Sequence, residues 1–183
     1  MKNKALEARS YIFQPGESIL VDANVWLYLL PPASQSTPNW ASGYSRAYGN
    51  MLSAKATPVV DALILSEYLN RYLRIEYGAF WASTYSNFKN FRQSSDASNT
   101  LGNAVDELTQ ITRDAFVCDT PLSGIDLTAL FGQIKSGTID FNDGLLVENC
   151  RRNGWKLMTN DSDMTMGGIE VLTSNTRLLS ACP

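Results

Sequence analysis

Four carboxylates stand out because each interrupts or abuts an apolar stretch. Asp22 follows Ile19-Leu20-Val21 directly, with Asn24 two residues on. Glu67 lies in Leu65-Ser66-Glu67-Tyr68-Leu69, Asp143 in Asp140-Phe141-Asn142-Asp143-Gly144, and Asp161 just beyond Leu157-Met158-Thr159. An unpaired carboxylate in an apolar setting costs several kcal/mol or neutralises itself by a pKa shift. Four of them at one edge of a sheet would repel strongly, unless raised pKa values or a divalent cation neutralise them. The sequence contains no histidine, and its three cysteines, Cys118, Cys150 and Cys182, are far apart. Oxygen-only donors select a hard ion, Mg²⁺ or Mn²⁺, over zinc.

Each acid also has a plainer reading. Asp143 suits the positive end of a helix dipole, and Asp140 suits that helix's cap. Asp161 fits an Asx turn, and Glu67 fits an i, i+4 pair with Arg71. A structural role is hardest to assign to Asp22, because it follows apolar Ile19-Leu20-Val21 directly.

The composition narrows the chemistry further. Without histidine there is no Ser-His-Asp or Cys-His system and no paired-histidine ribonuclease chemistry. The cysteines form neither a disulfide framework nor a C-x-x-C metal site and read as free thiols. Net charge is −3 over 183 residues, which excludes a uniformly basic nucleic-acid binder but not local basic clusters. Those clusters are Arg71 with Arg74, Lys89 and Arg92 interleaved with Phe88 and Phe91, and Arg151-Arg152. Arginine can contact phosphate while an aromatic ring stacks on an unpaired base. No apolar run is long enough to span a bilayer, the N-terminus lacks a signal-peptide core, and a cytoplasmic protein is expected. No P-loop motif occurs.

The elements that must position these acids alternate. Ser18–Val21 reads as a buried strand, and Ala23–Leu30 as a helix stopped by Pro31-Pro32. A surface loop over 31–40, a helix over Tyr44–Lys55 and a strand over Thr57–Val60 follow. Asp61 is placed to cap a helix running from Ala62 to about Tyr77, with Ala62, Leu65, Leu69 and Tyr72 as its apolar stripe. Further helices are predicted over Thr100–Phe116, Asp126–Lys135 and Asn142–Asn153, the last with Gly154 at C′. Strands are predicted at Val117-Cys118, Lys156–Thr159 and Ile169–Leu172, and residues 1–17 read as a polar lead ending in a turn. This pattern gives one three-layer α/β/α domain over 1–183 with a mostly parallel central sheet. Its core spans about 18–172, and its extra length falls in 31–56 and 83–137. Asp22 then lies at the carboxyl end of a strand, where open α/β sheets place their sites.

Val21-Asp-Ala-Asn-Val-Trp-Leu27, Leu65-Ser-Glu-Tyr-Leu-Asn-Arg71, Asp140-Phe-Asn-Asp-Gly-Leu-Leu146 and Leu157-Met-Thr-Asn-Asp-Ser-Asp163 resemble, in order, the four motifs of the PIN-domain family. The resemblance implies a PIN-like fold and a metal-dependent endoribonuclease, most like the VapC-type toxins of toxin–antitoxin pairs. It also implies RNA as substrate, an antitoxin partner and a homodimer. By motif, Asp22, Glu67, Asp143 and Asp161 are the acidic positions, Asp163 is auxiliary, and Asn24 and Thr159 are the polar positions beside the first and last Asp. Asp22 and Asp143 would be the main ligands of Mg²⁺ or Mn²⁺, with Asp161 completing the site and Glu67 orienting water or holding a second ion. Two other readings remain: a non-catalytic PIN-fold interaction or RNA-binding module, and a haloacid-dehalogenase-like phosphatase. The second lacks the Asp that its opening motif wants where Asn24 stands.

Overall fold

The computed structural model describes residues 1–120 and 122–182. Six strands form one sheet: β1 (Lys4–Glu7), β2 (Ser18–Val21), β3 (Thr57–Asp61), β4 (Phe116–Cys118), β5 (Lys156–Met158) and β6 (Glu170–Thr173). Their order is β1-β6-β5-β2-β3-β4, and every pairing between them is parallel. A parallel sheet is covered on both faces, so its central strands are continuously apolar. Ile19, Leu20 and Val21 of β2 and Leu157 and Met158 of β5 are fully buried.

The helices are α1 (Ala23–Leu29), α2 (Ser42–Ser53), α3 (Ala62–Glu76), α4 (Phe88–Arg92), α5 (Ser98–Asp114), α6 (Leu127–Lys135), α7 (Phe141–Asn153) and α8 (Thr176–Ala181). Helices α1, α2, α3 and α5 pack on one another, while α6 packs on α7 and α7 against β5. The architecture is three-layer α/β/α.

From β2 the chain winds outward through β3 to β4. It then returns to lay β5 on the other side of β2 and winds outward again to β6. The direction of winding thus reverses between β2 and β5, and at such a point the loops leaving neighbouring strands part to form a crevice. The register pairs Val21 with Met158, so the residues that follow, Asp22 and Thr159, emerge side by side.

Local signals placed most elements. Asp61 caps α3 through its Oδ1, which accepts from Ile64 N at 3.0 Å. Gly154 closes α7 with φ +67°, a left-handed conformation that costs glycine little. Several elements differ from the sequence reading. Residues 1–17 carry the edge strand β1, paired to β6, and residues 176–181 form α8. The predicted helix over Thr100–Phe116 runs instead over Ser98–Asp114, because Phe116 joins β4 beside β3. The apolar face of α3 is also turned. Its buried members are Ile64, Tyr68, Tyr72 and Leu73, while Ala62 is exposed and Leu65 and Leu69 are half-buried. Tyr68 leads that face because its hydroxyl donates to Leu30 O at 2.8 Å, which makes its burial inexpensive.

Candidate active site

Asp22 occupies the N-cap position of α1, yet its side chain caps nothing. It is 5% exposed, and Oδ2 accepts from Thr159 Oγ1 at 2.5 Å and from Asn24 Nδ2 at 2.5 Å. Asn24 Nδ2 also reaches Thr159 Oγ1 at 3.1 Å, and Asn24 Oδ1 accepts from Asn160 N at 2.9 Å. Thr159 Oγ1 in turn accepts from Asp161 N at 3.0 Å. Asn24 and Thr159 therefore tie the loop after β5 to the loop after β2 and aim Asp22. Burial pushes the Asp22 carboxyl up to about 6; the Thr159 hydrogen bond opposes this, and the charges of Glu67 and Asp161 add to it.

Asp143 stands in the first turn of α7, whose cap is Asp140: Oδ1 accepts from Asp143 N at 2.8 Å. Its carboxyl is pushed up to about 7, first by partial burial and then by Asp140, Asp161, Asp22 and Glu67. The charges that reach Asp143 thus come from three other motifs as well as from its own.

Asp161 accepts from Asp163 N at 2.8 Å through Oδ1, the Asx turn its sequence allows. Asp163 is exposed. Glu67 is paired with Arg71 across one helical turn at 3.0 Å, the plainer of its two readings. Among the described residues, no three acids are close enough to ligate one ion in this arrangement. Three of the carboxylates are held elsewhere: Asp22 by Thr159 and Asn24, Glu67 by Arg71, and Asp161 by the Asp163 amide. The donor set suits a hard divalent cation in type and charge, and rotation of side chains would have to close it.

The basic clusters are not gathered with the acids, Arg71 excepted. Arg74 lies over the Phe88 ring at 4.6 Å, and Lys89 and Arg92 are exposed on α4. Arg151 pairs with Glu148 and donates to Gly167 O at 2.6 Å, while Arg152 packs by Gly124. Phe91, expected to offer a face to a base, is 1% exposed and enclosed by Tyr77, Trp81 and Tyr85. It is a core ring, since the stretch around it folds into a small aromatic cluster of its own.

Sequence reading missed the supports behind the site. The Tyr44 hydroxyl accepts from Ser174 N at 3.0 Å and lies 2.9 Å from Asn160 Oδ1, 3.2 Å from Thr159 O and 3.2 Å from Thr173 Oγ1. Asn175 Nδ2 donates to Asn160 O at 2.7 Å. A tyrosine on a helix carries no signal of such a role before the fold is known.

No family model and no curated protein sequence matches the chain. Solved structures do. The chain is similar to VapBC2 from Rickettsia felis, a structure bound to a DNA fragment from its promoter, at TM-score 0.51 and 14% identity over 85% of this chain and 98% of that one. PAE2754 from Pyrobaculum aerophilum aligns at TM-score 0.48 and 17% identity over 91% and 96%. No helix among the described residues is long and apolar enough to cross a membrane. The parallel sheet, its switch point and the likeness to VapBC2 agree on one conclusion: the protein has the three-layer α/β fold of PIN-domain proteins.

Proposed function

We propose that the chain is a divalent-metal-dependent endoribonuclease, acting as the toxin of a toxin–antitoxin pair. The observation that carries this reading is the convergence of Asp22, Asp143, Asp161 and Glu67, whose charges add to burial in raising the Asp22 and Asp143 carboxyls to about 6 and about 7. Mutual repulsion of this kind gives the folded protein a standing affinity for positive charge. Asp22 and Asp143 would hold Mg²⁺ or Mn²⁺, with Asp161 and Asp163 beside them. A bound divalent ion lowers the pKa of water and offsets charge on phosphate oxygens. Thr159 and Asn24 keep Asp22 aimed and ionised, and Asp140 holds the α7 terminus that presents Asp143. Glu67, released from Arg71, would orient the attacking water, leaving Arg71 for phosphate. Water adds across the P–O3′ bond; the products are a 3′-hydroxyl and a 5′-phosphate.

The likeness of fold to VapBC2 supports an antitoxin protein as partner, while the homodimer follows from the motif resemblance. Arg74, Lys89, Arg92, Arg151 and Arg152, lying elsewhere, would serve RNA or partner contacts outside the centre. The Asn24 amide is occupied in holding Asp22 and Asn160 N, which leaves the phosphatase reading without its second acid. The absence of a closed acidic triad among the described residues favours, as a second reading, a PIN-fold RNA-binding module without turnover.

One experiment separates them. Mixed RNAs are incubated with the protein in Mn²⁺ or in EDTA, alongside Asp22→Asn and Asp143→Asn. Metal-dependent cleavage that both substitutions abolish is expected. Cleavage that survives the chelator or either substitution refutes the mechanism, and a lack of any cleavage or metal-induced rise in melting temperature favours the module.

A further inference from the structure

Next to the acids the surface opens into a hollow of about 620 Å³, lined by residues including Trp40, Asn160, Ser162, Thr176 and Arg177. That volume is within the range of small-ligand sites, roughly 300–1,000 Å³. Asn160 and Ser162 bracket Asp161, so one wall of the hollow is the loop that carries a site acid. Ser162 also lines a smaller hollow, about 370 Å³, together with Asp140 and Asp143. The two depressions share Ser162, and the smaller one opens onto Asp143.

The lining has a definite chemistry. Trp40 is 48% exposed, and its ring is braced rather than loose. It meets Tyr28 edge-on at 5.1 Å, and Tyr28 stacks on Tyr44 at 5.9 Å. Tyr44 is the hydroxyl anchored to Thr159, Asn160 and Thr173, so the aromatic ladder Trp40–Tyr28–Tyr44 is fixed to the strand ends that carry the acids. The amides that could read a base edge are already used. Asn160 spans Tyr28 and Tyr44, and Asn175 spans Asn160 O and Arg177 N. What remains is one aromatic face, the hydroxyl of Thr176, the Ser162 hydroxyl with a long 3.4 Å bond to Asp163, and the exposed Arg177, which makes no ion pair among the described residues. A centre crowded with carboxylates repels phosphate at a distance, and a cation at its rim offsets that field.

We propose that this hollow is a nucleobase subsite: Trp40 stacks one unpaired base of the RNA, and Arg177 takes an adjoining phosphate, which sets the neighbouring linkage over the acids. The inference rests on the ribonuclease reading and sharpens it to a substrate single-stranded at the cut. With a π-face and a cation but no free amide, the subsite discriminates strand state rather than base identity, since every base has a face to stack.

The test is binding of a short fluorescein-labelled single-stranded oligoribonucleotide of mixed sequence, in EDTA so that nothing is cut, measured by anisotropy. Trp40→Ala should weaken binding about tenfold or more, the typical loss when a stacking ring is removed. Trp40→Phe should keep most of the affinity, and a duplex of the same sequence should change by less than roughly twofold. Arg177→Ala should weaken single-strand binding and lower the slope of log affinity on log salt by about 0.7, one phosphate contact. Melting curves check that each variant is folded. An unchanged single-strand affinity in Trp40→Ala, an equal loss for strand and duplex, or no binding by the wild type overturns the subsite. The two readings fail separately. Mn²⁺-dependent cleavage with affinity and cut sites indifferent to Trp40→Ala removes the subsite and leaves the nuclease. Strand-selective loss without any cleavage removes the nuclease and leaves the subsite.

Discussion

Replacing Asp143 by Asn should stabilise the metal-free protein at alkaline pH, an unusual outcome for a change at a candidate catalytic residue. Asp143 has an ordinary value of 3.8 and is raised to about 7 in the fold. A carboxyl raised on folding binds its proton more tightly in the native state, so stability falls as pH climbs from about 4 to about 7 and stays low above that. Three units at 1.36 kcal/mol each give a ceiling of about 4 kcal/mol. The group is only partly buried and shares its shift with Asp22, and solvent screening reduces the figure further. Asn also forfeits about 0.3–1 kcal/mol of favourable interaction with the α7 dipole. A net gain of about 1–2 kcal/mol at pH near 8 remains, or roughly 3–6 °C in melting temperature for a chain of this size. Near pH 4 the gain should vanish, because wild-type Asp143 is then protonated in the fold. The assay is urea unfolding in EDTA at both pH values for wild type and variant, repeated with Mn²⁺, which should raise the wild type more than the variant. If Asp143→Asn is no more stable than wild type at pH 8, or if its advantage is as large at pH 4, the acids do not repel as described and the case for a shared cation loses its basis.

Three further outcomes follow from particular contacts. Thr159→Val should cost about 1–3 kcal/mol in urea unfolding, by leaving Asp22 and the Asp161 amide without their partner, whereas Thr159→Ser should restore most of it. Tyr44→Phe should cost about 1–2 kcal/mol and also lower activity, since its hydroxyl joins α2 to the loops after β5 and β6; equal activity would refute that positioning role. Gly154→Ala should cost about 1 kcal/mol with no effect on activity, because a Cβ there meets no neighbouring atom and only the left-handed φ opposes it.

Much of the fold was legible because it is local. The apolar run Ile19–Val21 can only be a strand covered on both faces, Asp61 and Asp140 announce helix starts, and Gly154 announces a helix end. The edge strand β1 was not legible. Lys4–Glu7 is four residues, the outer two exposed and the inner two half-buried, without a turn signal, and its pairing comes from β6, at the other end of the chain. The stripe on α3 was misjudged for a related reason. Periodicity gives the existence of an apolar face, while the neighbours it packs on set its direction.

The candidate site divides in the same way. The residue types, oxygen donors without histidine, were enough to direct the expectation to hard cations and repelling acids. The plain local roles were legible too: Asp140 as cap, Asp161 in its turn, Glu67 with Arg71. Only tertiary structure decided that β5 returns to lie beside β2. That return brings the Thr159 hydroxyl within 2.5 Å of Asp22 across 137 residues, and braces Trp40 next to the same loop through Tyr28 and Tyr44. Spacing along the chain carries local hydrogen bonds and charge, but nothing in it records which strand ends become neighbours; that depends on how the whole apolar surface is buried at once.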